Sequence, residues 1–144
     1  MLLVAMFYNL LLLTVSLNAE CVIQDGVELR QGPSKKAPVT WQVRKFFPVK
    51  KIAETKYWMK VIDMDKNKHW VQKGFLTKRY NCVIVKVSES RIKKEPDETS
   101  QDMFKESALK HETFKYIGSK KGWIRIKDVH GDTGWILYKD VWVD

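Results

Sequence analysis

One phrase occurs twice in the chain. Residues 58–71 read WMKVIDMDKNKHWV and residues 123–136 read WIRIKDVHGDTGWI, 65 positions further on. The offset stacks Ile52 on Ile117, Trp58 on Trp123, Val61 on Ile126, Asp63 on Asp128, Trp70 on Trp135 and Val71 on Ile136. A repeat of this length within 144 residues leaves room for two small units and little else. A second offset, 61, sets CVI at 21–23 over CVI at 82–84, and carries Glu28 onto Glu89 and Arg30 onto Arg91. Together the offsets imply about four extra residues in the second copy. The polar stretch KKEPDETSQD, rich in turn formers, is their expected place, as a mobile loop.

The apolar period within each copy is two, and the segments are short and rich in Val, Ile and aromatic residues, which predicts strands. In WMKVID, Met59 and Val61 alternate with Trp58, Lys60 and Ile62; in WIRIKD, Ile124 and Ile126 alternate with Trp123, Arg125 and Lys127. DVHGDTG and DMDKNK supply hairpin turns, and HWVQ and GWILY return to the sheet. Helix is expected as at most a single turn, at KGFLT and YKDVW. The fold class that follows is all-β, two small partly open barrels in tandem, with residues 20–80 as the first and 81–144 as the second.

Residues 1–19 carry no charge and end in LNA, an acceptable signal-peptidase site after Ala19. Export to the periplasm or the medium is expected. The stretch lacks the usual basic start and is broken by Tyr8 and Asn9, and it is shorter than the ~20 apolar residues of a spanning helix. Cleavage is therefore favoured over a membrane anchor, and Glu20 argues against lipidation of Cys21. An exported chain meets an oxidising compartment, so Cys21 and Cys82 are expected to pair; the competing reading makes both of them buried small hydrophobes. Charge is one-sided: residues 20–80 hold 14 Lys and Arg against 6 Asp and Glu, while residues 81–144 hold 12 against 11. So uneven an excess suits an anionic partner.

The phrase ELRQGPS at 28–34, followed about 25 residues later by Trp, a hairpin and a second Trp, resembles the bacterial Src-homology-3-like (SH3b) domain. The resemblance covers Cys21 to Trp142. The second copy departs from it by writing SRIKKEP, with Lys93 and Lys94 in place of Gly32 and Pro33. The resemblance implies exported binding modules, directed at peptidoglycan or at proteins and without catalysis of their own.

Catalytic and metal chemistry find little support in the residues. HETFK at 111–115 lacks the second His of a zinc-protease helix, and DMDKN mimics half a calcium loop but has Lys68 and Gly74 where Gly and Glu are needed. Asp128, His130 and Asp132 read as turn residues before they read as a metal site. The expectation is a non-enzyme without cofactor or metal. Strict alternation turns Trp58 and Trp123 away from the core beside Lys60 and Arg125, and Trp70 and Trp135 outward from the neighbouring strand. With Trp41 and Tyr57 in the more basic copy, these eight side chains are the candidate ligand contacts; packing under a loop or between the copies competes with that role. Peptidoglycan or another anionic envelope polymer is the expected ligand, and a periplasmic protein or peptide scaffold role is the alternative. Nucleic acid ranks below both. A monomer is expected.

Overall fold

The structure, a computed structural model, describes residues 19–143, so all of the expected signal segment but Ala19 lies outside the described residues. The first half carries β1 (Ala19–Val22), β2 (Val27–Arg30), β3 (Val39–Val43), β4 (Pro48–Glu54), β5 (Trp58–Ile62), β6 (Lys68–Gln72), a 3-10 turn at Lys73–Phe75 and β7 (Leu76–Thr77). The second carries β8 (Cys82–Val85), β9 (Glu89–Ser90), β10 (Ala108–Leu109), β11 (Thr113–Lys120), β12 (Trp123–Lys127), β13 (Thr133–Leu137), a 3-10 turn at Tyr138–Asp140 and β14 (Val141–Val143). The chain is all-β, folded as SH3-like barrels. Its two 3-10 turns fall inside KGFLT and YKDVW.

The first half forms one antiparallel sheet in the order β3-β2-β6-β5-β4-β1-β7. In the second half a sheet β13-β12-β11-β8-β14 and a hairpin β10-β9 are joined by a bridge between Lys93 and Trp135. That bridge matches the pairing of Arg30 with Trp70 in the first half, so the strand order is the same in both. Period-two alternation sets the cores. Met59, Val61 and Val71 are buried with Val22, Leu29 and Val49 in one cluster, and Ile124, Ile126 and Ile136 with Val83, Val85 and Ile92 in the other.

The register corrects the sequence alignment of the N-terminal strands. Cys21 pairs with Pro48 and Glu20 with Val49, whereas Ile84 pairs with Thr113 and Val83 with Phe114. Cys21 therefore corresponds to Ile84, and the CVI phrases are not equivalent. The offset is 63 here, which sets Ser90 over Val27 and Lys93 over Arg30; Glu28 does not lie over Glu89, nor Arg30 over Arg91. The loop after β2 follows suit. Ser34 N–H donates to Gly32 O and Ala37 N–H to Ser34 O, and in the second half Asp97 N–H donates to Glu95 O and Ser100 N–H to Asp97 O. Ser34 Oγ accepts from Lys36 N–H as Asp97 Oδ1 accepts from Thr99 N–H. Glu95 and Pro96 thus stand where Gly32 and Pro33 do, and KKEPDETSQD is a hydrogen-bonded loop of the same length as its counterpart. The extra residues number two and lie after the bridge at Asp102 and before Ala108, the partner of Ser90 as Val43 is of Val27.

Cys21 and Cys82 form a disulfide with Cα atoms 6.0 Å apart. Phe46 lies against the bridge with Tyr80, their rings edge to face at 5.7 Å. The halves also touch beyond the bridge. Ile84 and Trp142 pack on the first core, and Thr113 Oγ1 donates to Lys45 O at 2.7 Å. The two cores thus meet through β8 and β14 while each keeps its own interior.

Gly134 faces the loop strand of its own half. A Cβ there would stand 2.5 Å from Ile92 Cγ2 and 3.1 Å from Lys93 O. The first half has His69 at this position, paired with Val61 as Gly134 is with Ile126. Gly134→Ala is expected to cost about 2 kcal/mol through overpacking. Urea unfolding measures it, and a cost near zero would mean that the loop strand yields freely.

Candidate functional site

The pairing of β5 with β6 builds one outer surface from alternate residues. Trp58 stands opposite Gln72 and Lys60 opposite Trp70, and Trp70 on its other side meets Arg30 of β2. Arg30, Trp70 and Lys60 thus form a row across three strands. The Lys60 ammonium lies 5.8 Å from the Trp70 ring centroid, a cation–π contact. Arg30 is held in place by an ion pair with Glu28 and by donating from Nη1 to Ala37 O at 2.7 Å. The guanidinium therefore ties the loop after β2 to the sheet.

Beside this row lies a cleft of about 210 Å³, lined among others by Trp58, Glu28, Arg30, Lys35, Gln72 and Phe75. Trp58 is placed by the turn between β4 and β5: its N–H donates to Thr55 Oγ1 at 3.2 Å and Thr55 N–H donates to its carbonyl at 2.8 Å. Here the structure corrects the simple alternation argument. Trp58 does share the outer face with Lys60, but it is only 9% exposed, because Gln24 and Gly26 of the β1–β2 connection and Phe75 of the 3-10 turn rise around it. It is a wall of the cleft and not a plate in water. Tyr57, next to it, is 66% exposed, with the Lys56 ammonium 5.2 Å from its ring centroid.

Glu54 anchors the rear of this turn. Its carboxylate holds Lys73 of the 3-10 turn at 2.8 Å and Lys51 at 2.9 Å. Those two ammonium groups lower its pKa to about 2. The sign is that of a depressed carboxylate: the pairing is complete above the ordinary Glu value near 4.3 and is lost only as pH falls through about 2. An NMR titration of the Glu54 side chain is expected to show that low midpoint; an ordinary midpoint would mean that the Lys51 and Lys73 contacts do not persist in solution.

Trp41 belongs elsewhere. Its ring packs edge-on to Phe47 at 5.1 Å and to His111 of the second half at 5.2 Å, so it is a junction residue and stands outside the cleft. Near it Asp63 and His69 are buried, with Asp63 Oδ2 2.8 Å from His69 Nε2 and Thr40 Oγ1 2.7 Å from His69 Nδ1. This network pins the β5–β6 hairpin to β3, and it is not legible in the residue pattern because Thr40 is distant in the chain.

In the second half Arg125 stands opposite Trp135, and Trp123 opposite Leu137. Lys93, Trp135 and Arg125 repeat the cationic row. Trp123 is 7% exposed, again buried where alternation alone expects exposure. The surroundings differ in charge. Lys93 is engaged by Asp102 at 2.7 Å, and Ser90 Oγ donates to Asp140 Oδ2 at 2.7 Å where the first half has Val27 and Phe75. The structure therefore gathers Trp58, Lys60 and Trp70, with Tyr57 adjacent, on one side of the first half. Arg30, Lys35, Gln72 and Phe75 are cleft residues that the sequence reasoning did not single out, although ELRQGPS contains the first of them. Among the described residues no cluster of His, Cys, Asp or Glu is arranged for a metal, and no helix is long and apolar enough to cross a membrane.

Residues 24–78 match the family described as Bacterial SH3 domain. No curated protein matches the chain. Among solved structures the chain is similar to an NlpC/P60 family protein from Bacillus cereus, at 11% identity over 87% of this chain and 56% of that one, with a TM-score of 0.38. It is also similar to NlpC2 and NlpC1 from Trichomonas vaginalis, at 15% and 16% identity over 87% and 86% of this chain and 47% and 45% of those, each with a TM-score of 0.38. The chain spans about half the length of these proteins.

Proposed function

We propose that this protein, whose residues 24–78 match the bacterial SH3 domain family, is an exported, non-catalytic binding module for peptidoglycan or another anionic polymer of the cell envelope. The observation that carries this reading is the Trp58 cleft set among Arg30, Lys35 and the Lys60–Trp70 pair, on the half of the chain that holds nearly all the excess positive charge. Sugar rings stack on the indole wall, and carboxylates of the polymer meet the guanidinium and ammonium groups. The disulfide agrees with an oxidising compartment. The matching strand order supports reading residues 81–144 as a second copy of the same unit, with a differently charged version of the cleft.

Sedimentation with insoluble peptidoglycan tests the proposal. The protein is expected to co-sediment at low salt and to be released as salt rises, because Lys35 of the cleft lining is solvent-exposed and its attraction for an anionic polymer is screened. Reversing Lys35 of the cleft together with Lys56, which lies against the adjacent Tyr57 ring, as Lys35→Glu with Lys56→Glu, should weaken binding about fivefold without affecting folding. Absence from the pellet at low salt would eliminate the polymer reading. Retention that ignores salt would favour an extended peptide as ligand.

A further inference from the structure

The surface that the first half turns toward the second has a counterpart in the second half, which the first half does not cover. In the first half this surface is filled. Phe47 is buried, Trp41 packs on it, and His111 of the second half meets Trp41 and lies 3.9 Å from Asp65. The backbone register identifies the corresponding residues: Val22 N–H donates to Phe47 O as Val85 N–H does to Glu112 O, so Glu112 replaces Phe47. Gly134 replaces His69, so Asp128, whose Oδ1 accepts from the turn N–H groups of His130 and Asp132, has no histidine partner. The exchange of a buried phenylalanine for an exposed glutamate opens a cavity of about 220 Å³.

The lining of this cavity combines apolar and acidic side chains: buried Ile92 and Phe114 and half-buried Phe104, with exposed Glu106 and Glu112 and half-buried Asp128. Glu106 and Glu112 have no ion-pair partner among the described residues. We propose that this cavity binds an alkylammonium group, the side chain of a lysine-like residue of a partner peptide. A straight aliphatic stem is the shape an apolar lining takes up, and its charged end reaches the carboxylates. The site lies apart from the Trp58 cleft and takes the opposite charge, so one chain holds an anionic ligand with its first half and a cationic one with its second.

The test uses Nα-acetyl-lysine methylamide as probe and the norleucine analogue as its uncharged isostere, titrated into the protein and followed by backbone NMR. Saturable shifts are expected at Ala108, Glu112 and Phe114 with the lysine probe and not with the norleucine one. Glu106→Gln with Glu112→Gln should weaken the lysine probe about tenfold, the loss of charge-assisted contacts. Glu112→Phe, which restores the first-half residue at an exposed position, should fill the cavity and abolish the shifts. Equal response to both probes would reduce the site to an apolar hole and overturn the proposal. Shifts confined to the Trp58 cleft, or none, would overturn it as well.

Discussion

Replacing Cys21 and Cys82 by serine is expected to lower the melting temperature by roughly 15 °C, corresponding to a loss of about 4 kcal/mol. The bridge closes a stretch of 61 residues, and the entropy of the open chain grows with that length. The cross-link also lies at the junction. Cys21 and Cys82 are buried with Phe46, and the Thr113–Lys45 hydrogen bond depends on the halves being held together. Thermal unfolding of the oxidised protein and of the double serine variant measures the difference. A change of only a degree or two would mean that the junction is maintained by packing alone. Reduction of the unaltered protein should reproduce the variant's behaviour, since no other cysteine exists in the chain.

Asp63→Ala should destabilise the protein by about 3 kcal/mol, whereas Asp128→Ala, at the corresponding position of the second half, should cost about 1 kcal/mol. The two aspartates make the same turn contacts. Asp63 Oδ1 accepts from Asp65 and Asn67 N–H at 2.9 and 3.0 Å, and Asp128 Oδ1 accepts from His130 and Asp132 N–H at 2.9 Å each. Their second oxygens differ. Asp63 is 1% exposed and faces His69, itself 6% exposed, so its removal leaves the Nε2 of a buried imidazole without its partner. Asp128 is half-buried and opens on the acidic cavity. Urea unfolding of the two variants gives the comparison directly. Equal losses would show that the turn contacts alone matter and that the histidine network adds nothing.

The parts of the fold legible in the sequence are those set by alternation within a single strand. Met59, Val61, Ile124 and Ile126 point inward because a strand must turn every second residue to the same face, and no distant contact alters that. The identity of the turn residues also carried over, since Asp63 and Asp128 cap their hairpins through neighbours a few positions away. What was not legible depended on chain segments meeting from afar. The CVI phrases at Cys21 and Cys82 look equivalent, yet pairing with β4 and β11 shifts them by two residues, and letters cannot report a register fixed by another strand. Glu95 and Pro96 then fall on Gly32 and Pro33, so a loop that reads as divergent keeps the same hydrogen bonds.

The candidate site shows the same division. Lys60, Trp70 and Trp58 share a face because they lie on adjacent strands with a simple register, which the sequence pattern predicts. The burial of Trp58 came from the β1–β2 connection and the 3-10 turn, whose approach is a tertiary matter. Trp41 reads as a basic-surface aromatic and is instead a junction residue, because its neighbour His111 sits 70 positions away. The acidic cavity was hidden for a related reason. Phe47 and Glu112 are recognisable as counterparts only once the backbone hydrogen bonds of β1 and β8 are known.

Backbone NMR of the protein, titrated with soluble peptidoglycan fragments, locates the ligand site without any substitution. Saturable shifts should cluster at Gly26, Glu28, Arg30, Trp58 and Gln72 and fade as salt is raised. Shifts that gather in the second half, or that miss the Trp58 cleft altogether, would contradict the assignment of that cleft as the polymer-binding surface.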